Sequence, residues 1–248
     1  MKIGILDSGI GGITVLKDLV TILPNHDYIY FGDILNVPYG NKTDQELMIL
    51  TTNIIDFLIE QKTELIIIAC GTISATILDR LQSRYSLPTI GIIEPTIKYI
   101  DKNFKTLGIM ATPKSISSRS WEKSLNKVIP NTLIKQQSCQ RLAKAIENNS
   151  PNLNQIIKEY TKPLLNMEAV ILGCTHYPIV SKLIKSHLPH TKLINPSNLT
   201  AQYIKENFSD NDQEGEVSIY LSKIHPHTID FITNSINKEI TFQLKTLD

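Results

Sequence analysis

Two cysteines occupy matching places in this chain and could act on the same substrate atom. Cys70 and Cys174 each end a long apolar run, and each is followed within two residues by a threonine, Thr72 or Thr175. An apolar run of this length predicts a buried strand, and α/β proteins carry their chemistry where such strands end. One thiol on each side of a carbon atom could remove a proton from one face and deliver another to the opposite face. The pair therefore predicts stereoinversion.

The two halves of the chain resemble one another. At an offset of 104 residues Cys70 falls on Cys174, and residues 2–8 fall on residues 106–112 with glycine, apolar and hydroxyl positions in step. After the cysteines we expect an offset of 101, which places residues 93–95 on residues 194–196. This period is far too long for a solenoid and predicts two copies of one domain.

Strand and helix patterns alternate along both halves, which predicts an α/β fold. We expect two similar doubly wound, mostly parallel-sheet domains related by pseudo-twofold symmetry. The first comprises residues 1–95 with a returning tail, 206–248, and the second comprises residues 96–205. Helices are expected at residues 74–85 and 229–240. Because equivalent strand ends would face each other, we expect the active site in the cleft between the domains.

Composition excludes several classes of protein. A 42% hydrophobic fraction, 20% charged residues and a formal net charge of +1 give no reason to expect nucleic-acid or membrane binding. The sequence carries neither an apolar run of the ~20 residues that span a bilayer nor a recognisable signal peptide, so we expect a cytoplasmic protein. The three cysteines form no CxxC pair, which predicts neither a disulfide framework nor a metal site.

Other polar groups lie near the predicted strand ends. Asp7 follows the first strand and His176 lies two residues beyond Cys174, so both could assist proton transfer. Ser8, Thr72, Thr112 and Thr175 supply hydroxyl donors, so a carbanionic transition state would need no cofactor. The glycine-rich residues 9–12 lack a P-loop pattern, although Ser8 and the following N–H groups could bind a carboxylate. His26 is expected at the surface.

Four motifs resemble those of glutamate racemases, in the cofactor-independent aspartate/glutamate racemase superfamily: Asp7-Ser8-Gly9, Pro38-Tyr39-Gly40, Cys70-Gly71-Thr72 and Gly173-Cys174-Thr175-His176-Tyr177-Pro178. The resemblance implies two α/β domains that interconvert L- and D-glutamate for peptidoglycan synthesis, without a cofactor. It implies that Cys70 and Cys174 are the acid/base pair, assisted by Asp7 and His176, with Glu147 orienting His176. The implied substrate contacts are Asp7, Ser8, Pro38, Tyr39, Gly40, Gly71, Thr72, Thr112, Thr175 and His176.

Two positions depart from the family pattern and leave alternatives open. Gly71 stands where the family carries an asparagine, and Ile73 stands where it carries an alanine. These changes could favour aspartate or another acidic amino acid as the substrate. Loss of the amide at Gly71 could also indicate a binding or regulatory protein with weakened catalysis. Family members often pair, so a homodimer is a further expectation.

Overall fold

The computed structural model describes residues 1–208, 214–224 and 226–247, without the side chains of residues 226 and 227. These residues form two separate parallel sheets, each covered by helices on both faces. The predicted fold class, two parallel-sheet α/β domains, is confirmed. Within the described part of the chain, no helix is both long and apolar enough to cross a membrane.

The first sheet has six strands: β1 (Lys2–Asp7), β2 (Asp27–Gly32), β3 (Leu65–Ile68), β4 (Thr89–Gly91), β9 (Val217–Leu221) and β10 (Ile240–Leu244). Their order across the sheet is β10-β9-β2-β1-β3-β4, and every neighbouring pair is parallel. All four residues of β3 are buried because alternate side chains enter two different apolar cores, one on each face. A sheet covered on both faces therefore explains the unbroken apolar run before Cys70.

The second sheet repeats the central part of the first. Its strands are β5 (Thr106–Ala111), β6 (Leu133–Ser138), β7 (Ala169–Leu172) and β8 (Lys192–Ile194). Their order is β6-β5-β7-β8, which matches β2-β1-β3-β4 strand for strand. The duplication inferred from the sequence is thus present in the topology.

The predicted change of offset after the cysteines is wrong. Val170 pairs with Leu193 in the second sheet where Ile66 pairs with Thr89 in the first, so both members of the pair are displaced by 104 residues. The sequence similarity at an offset of 101 residues arose because an isoleucine and a proline lie near the end of both β4 and β8. They lie further beyond the end of β4 than beyond the end of β8. Hydrogen-bond register, rather than local composition, gives the true correspondence.

The helices cover both sheets. Their bounds are α1 (Ile13–Ile22), α2 (Asp44–Glu60), α3 (Gly71–Thr76), α4 (Leu78–Arg84), α5 (Ile93–Tyr99), α6 (Pro113–Ser117), α7 (Ser120–Val128), α8 (Leu142–Glu147), α9 (Leu153–Thr161), α10 (Ser181–His187), α11 (Pro196–Asn207) and α12 (Pro226–Ser235). Several begin with a side-chain cap. Thr43 and Glu46 form a capping box at the start of α2, and Thr112 accepts a bond from the Ser115 N–H at the start of α6.

The chain crosses between the sheets twice, at α5 and again at α11. Ile93 of α5 packs in the core around the second sheet, whereas Ala201 and Ile204 of α11 pack in the core around the first. After α11, strand β9 pairs with β2, so the tail completes the first sheet. The boundaries 1–95, 96–205 and 206–248 themselves stay a prediction.

Three local predictions are wrong. The helix expected at 74–85 begins at Gly71 and is broken at Ile77 into α3 and α4. The helix expected at 229–240 ends at Ser235, and strand β10 follows from Ile240, because a new parallel partner, β9, outweighs local pattern there. His26, expected at the surface, is fully buried and lies edge-on to Tyr28.

Candidate active site

The two thiols lie at equivalent strand ends, as predicted. Cys70 follows β3 and is the N-cap residue of α3, while Cys174 follows β7 by two residues. Both side chains are buried, with 4% of Cys70 and 7% of Cys174 exposed, and no disulfide involves either. Buried free thiols at the carboxyl ends of parallel strands are positioned for chemistry on a ligand enclosed between the domains.

Cys70 lies against a hydroxyl and near a carboxylate. Its thiol donates to Ser8 Oγ at 3.6 Å. Burial raises the pKa of Cys70 to about 12, and the negative charge of Asp7 adds to the rise. The Ile73 N–H and the Ser8 hydroxyl favour the thiolate but do not offset burial. The side chain of Cys70 is therefore a protonated thiol at neutral pH, suited to delivering a proton.

Cys174 lies against an imidazole instead. Its Sγ is 3.7 Å from His176 Nδ1, and His176 Nε2 is 2.8 Å from Glu147 Oε1. Burial alone would lower the pKa of His176, but its hydrogen bonds to Cys174 and Glu147 outweigh burial and raise that pKa well above its ordinary value. A positively charged imidazole stabilises a neighbouring thiolate. This side of the site is suited to removing a proton.

Asp7 connects the two domains rather than contacting Cys70 directly. Its Oδ2 accepts from the backbone N–H groups of Gly9 at 3.2 Å and Gly12 at 2.9 Å. Its Oδ1 accepts from the Thr175 hydroxyl of the other domain at 3.2 Å. Burial raises the pKa of Asp7 to about 6 despite the lowering effects of His176 and these hydrogen bonds. Asp7 therefore titrates within the range in which an enzyme is commonly assayed.

The glycine-rich loop packs closely against the second domain. A side chain on Gly9 would overlap Glu147, and a side chain on Gly11 would lie 2.5 Å from Thr175 Oγ1. The Ile10 N–H points at Glu147 Oε1, 3.4 Å away. Asp7 accepts from the Gly9 and Gly12 N–H groups and Glu147 from that of Ile10, and carboxylate binding by Ser8 and the other N–H groups of this loop stays a prediction. Glycine is needed at positions 9 and 11 because the loop lies directly against Glu147 and Thr175 of the second domain.

The remaining hydroxyl groups bridge the cleft. Thr72 and Thr112, one from each domain, share a hydrogen bond at 2.9 Å. Gly40 packs on Thr112, since a side chain on that glycine would come within 3.2 Å of Thr112 Cβ. Pro38 lines a neighbouring cavity. The motif residues therefore converge on one interdomain region, and their roles toward a substrate stay predictions.

Tyr39 is buried, and its hydroxyl already has a partner. It donates to Asp33 Oδ2 at 2.6 Å, and Asn36 Nδ2 lies 3.0 Å from each oxygen of the same carboxylate. Asp33 N–H in turn donates to the Asp7 carbonyl oxygen at 3.0 Å. Sequence reasoning missed Asp33. Its position directly after the buried strand β2, like that of Asp7 after β1, was the available signal.

A second missed group joins the domains below the site. Thr14 Oγ1 lies 2.9 Å from the carbonyl oxygen of Gly11, 3.3 Å from that of Thr175 and 3.0 Å from Ser197 Oγ. Thr14 is the second residue of α1, directly after the glycine-rich loop, and its sequence pattern carried no functional signal. Its contacts hold the glycine loop against the Cys174 segment.

An open cavity of about 330 Å³ lies beside the Glu147–His176 pair. Its lining comes from both domains: Ile10, Ile34, Leu35, Val37, Pro38, Lys144, Glu147, Asn148, Lys223 and Thr228. Lys144 belongs to α8 and Lys223 follows β9, so one lysine stands on each side of the opening. Glu147 and Pro38 are also among the predicted site residues, and we call this space the outer cavity.

Comparison with known proteins decides the family. The sequence profile of the Asp/Glu/hydantoin racemase family matches residues 11–204. The chain belongs to this family. A glutamate racemase from Exiguobacterium sibiricum is 37% identical over 208 residues, which cover 81% of this chain and 77% of that racemase. One from Hydrogenobaculum sp. is 32% identical over 241 residues, 94% and 92% of the two chains.

Solved racemase structures share the whole fold. A glutamate racemase from Bacillus anthracis superimposes with a TM-score of 0.90 at 27% identity, covering 99% of this chain and 97% of that one. The glutamate racemase from Francisella tularensis, solved with D-glutamate, gives 0.87 at 34% identity, with 100% and 98% covered. The family resemblance and the enzyme class, an amino-acid racemase and hence an isomerase, are confirmed.

Proposed function

We propose that this racemase interconverts L- and D-glutamate by a two-thiol mechanism without a cofactor. The observation that carries the proposal is the close approach of the two cysteine segments, since a Cβ on Gly71 would overlap the Gly173 carbonyl oxygen and lie 3.6 Å from the Cα of Cys174. The glutamate racemases similar to this chain support the choice of substrate, and one of them was solved with D-glutamate.

Proton transfer follows from the different surroundings of the two sulfurs. Cys174, whose Sγ lies 3.7 Å from His176 Nδ1, removes the α-proton of the enantiomer that presents it to this side. Cys70, a thiol because burial raises its pKa, delivers its own proton to the opposite face of the same carbon. The α-carbon is inverted, Cys174 becomes the thiol and Cys70 the thiolate. The other enantiomer runs the same transfers in reverse.

The hydroxyl groups would stabilise charge during this transfer. Removing the α-proton places negative charge on the substrate carboxylate, and donors already oriented by the fold stabilise it without reorganising. Thr72 and Thr112 share a single hydrogen bond, so one of these two hydroxyls keeps its proton available for the substrate. Stabilising this negative charge by hydrogen bonds makes the α-proton more acidic.

The cellular role proposed here is to supply D-glutamate for peptidoglycan, in the cytoplasm. An aspartate substrate is not favoured: the aspartate racemase of similar fold, from Picrophilus torridus, is 19% identical with a TM-score of 0.61, a likeness of fold alone. A purely regulatory role is not favoured either, because both thiols and their neighbours are in place.

Solvent exchange tests the proposal directly. The purified protein is incubated with L-glutamate in deuterium oxide, and D-glutamate is measured by chiral chromatography with mass spectrometry. We expect D-glutamate that carries one α-deuterium, and much slower turnover of L-aspartate in a parallel reaction. Folded protein that neither exchanges the α-proton nor forms D-glutamate would refute the proposed activity.

A further inference from the structure

The turn that follows Cys174 leaves one backbone acceptor without a donor from the turn itself. The carbonyl oxygens of Cys174 and His176 each accept from the N–H group three residues further along the chain, at 3.0 and 3.2 Å. Thr175 lies between them, and the residue three positions beyond it is Pro178, which has no N–H. Because Thr175 is buried, with 4% exposed, its carbonyl oxygen needs a donor from elsewhere.

Thr14 of the first domain supplies that donor. Its hydroxyl lies 3.3 Å from the Thr175 carbonyl oxygen and 2.9 Å from that of Gly11. The Gly11 oxygen also accepts from the Thr14 N–H at 3.0 Å, so it would keep a donor without the hydroxyl. The Thr175 oxygen would not, because its own turn offers it no N–H group. The Thr14 hydroxyl therefore matters chiefly to the second domain.

A second hydroxyl orients the first. Thr14 Oγ1 and Ser197 Oγ are 3.0 Å apart, and only 2% of Ser197 is exposed. Carbonyl oxygens can only accept, so the single proton of Thr14 is directed at them and Ser197 supplies the proton of the third contact. The Ser197 N–H in turn donates to Asn195 Oδ1 at 3.1 Å, which caps the start of α11. The direction of the Thr14 proton is thus fixed by a capped helix.

The first domain holds Thr175 at both of its polar groups. Its carbonyl oxygen faces Thr14, and its hydroxyl donates to Asp7 Oδ1 at 3.2 Å. Thr175 stands between Cys174 and His176 in the chain, and His176 Nδ1 lies 3.7 Å from the Cys174 sulfur. The two bonds of Thr175 therefore fix the thiol and its imidazole relative to the first domain.

The Cys70 segment has a separate anchor. The Ser74 N–H donates to the Cys70 carbonyl oxygen at 3.0 Å, and Ser74 Oγ donates to the Ile68 carbonyl oxygen at 3.0 Å. These bonds join β3 to α3 and involve no residue of the second sheet. Loss of the bond between Thr14 and Thr175 should therefore displace one thiol and not the other.

We propose that Thr14 is a positioning residue for proton transfer: its hydroxyl replaces the N–H group that Pro178 lacks and fixes the Cys174 segment against the first domain. The inference rests on the proposed function, in which Cys174 must reach a carbon that Cys70 approaches from the opposite side. Displacing a reacting group by about 1 Å can lower a rate about 100-fold. Thr14 acts through Thr175 rather than on the substrate.

The first measurement compares variants of Thr14 in glutamate racemisation. Thr14→Val keeps the shape of the side chain and removes the hydroxyl, and Thr14→Ala removes the hydroxyl without a branched replacement. We expect both to lower kcat about tenfold, because a loosened segment is displaced by less than 1 Å on average. Thr14→Ser keeps the hydroxyl and should retain a rate close to that of the wild-type protein.

Thr21→Val is the matched control. Thr21 lies in the same helix, α1, and its hydroxyl donates to the Lys17 carbonyl oxygen of that helix at 2.7 Å. The variant makes the same chemical change as Thr14→Val at an exposed position that faces no residue of the second domain through this bond. It should leave the rate of racemisation unchanged.

The second measurement needs no turnover. Each protein is treated with iodoacetamide under native conditions, and alkylation of Cys70 and Cys174 is followed over time by peptide mass spectrometry. We expect Thr14→Val and Thr14→Ala to raise the alkylation rate of Cys174 several-fold relative to that of Cys70. General loosening of the fold would raise both rates together, so Cys70 is an internal reference.

Three results would overturn the proposal. The first is that Thr14→Val and Thr14→Ala, folded by circular dichroism, racemise glutamate at the wild-type rate. The second is a ratio of Cys174 to Cys70 alkylation that stays at the wild-type value in both variants. The third is a loss of activity in Thr14→Ser as large as that in Thr14→Val. A wild-type protein that inverts no glutamate would instead refute the proposed function, and the alkylation ratio would still test the role of Thr14.

Discussion

The surroundings of Cys70 and Cys174 differ although their places in the fold are the same. Both cysteines follow the third strand of a 2-1-3-4 sheet at an offset of 104 residues. Cys70 has a hydroxyl partner and a raised pKa, whereas Cys174 has an imidazole partner backed by a carboxylate. Duplication therefore accounts for the position of two thiols, and the residues after each strand decide which is ready to give a proton and which to take one.

Replacing either cysteine should have the largest effect. Cys70→Ser and Cys174→Ser each exchange a thiol for a hydroxyl of similar size that is far less acidic. Because each sulfur serves as base in one direction and acid in the other, we expect racemisation to fall about 1,000-fold or more in both variants. Initial rates from L- and D-glutamate, with thermal unfolding as the control, measure this. Wild-type turnover in either variant would remove that thiol from the mechanism.

Activity should depend on the charges of His176 and Glu147. His176→Asn is expected to lower kcat about 100-fold because Cys174 loses the cation that stabilises its thiolate. Glu147→Gln keeps the shape and removes the charge that helps raise the pKa of His176. We expect a smaller loss, about tenfold, and a shift of the basic limb of the pH profile of kcat/KM to lower pH. An unshifted limb would contradict the assignment of that limb to His176.

Replacing Asp7 should stabilise the protein and lower its activity. The pKa of Asp7 is about 6 in the folded state, above its ordinary value of 3.8. At a pH between these two values the folded protein therefore binds a proton that the unfolded chain does not. The contribution of Asp7 to the free energy of unfolding therefore rises as pH falls through about 6. Over the same interval kcat/KM should fall, because the carboxylate is lost. Asp7→Asn should raise the free energy of unfolding at pH 7 by about 1–3 kcal/mol.

The same variant should lower activity about tenfold, because Thr175 and the glycine loop lose a charged acceptor. Urea unfolding at pH 5 and pH 7, compared between Asp7→Asn and the unsubstituted protein, separates the two effects. A variant that is less stable than the parent protein at pH 7 would show that the hydrogen bonds of the carboxylate outweigh the cost of burying it.

Replacing the two lysines that line the outer cavity should have the smallest effect on activity. Lys144 and Lys223 stand on opposite sides of the opening, so Lys144→Gln and Lys223→Gln together should lower kcat/KM for an acidic substrate a few-fold, with kcat little changed. The salt dependence of kcat/KM should flatten, since screening weakens such steering. Lys127→Gln on α7, an exposed lysine outside the cavity lining, is the matched control. An equal loss in that control would exclude local steering.

Much of the fold followed from the sequence because strands covered on both faces form unbroken apolar runs. The run before Cys70 and the run before Cys174 predicted β3 and β7 and, with their offset, the duplicated domain. Register after the cysteines did not follow, because β4 and β8 are three-residue strands whose local composition aligns at the wrong spacing. Strand β10 was missed because it depends on a parallel partner, β9, that the local sequence does not reveal.

The candidate site was predictable where chemistry stands directly after a strand and unpredictable where it depends on the opposite domain. Asp7, Cys70 and Cys174 carried their own signal. Glu147 reads as a surface residue of a short helix, and only the family resemblance indicated its contact with His176. The contact between Gly71 and the Gly173 carbonyl oxygen could not be read from the sequence, because Gly173 belongs to the other half of the chain.

The double crossing of the chain at α5 and α11 has a consequence for synthesis on the ribosome. Strand β9 lies between β2 and β10, so the first sheet lacks its outer two strands until residues far down the chain have emerged. The second sheet, by contrast, is contiguous in sequence and can close earlier. The domain whose strands are translated first is thus completed last, and its exposed β2 edge is a point at which a nascent chain would benefit from a chaperone.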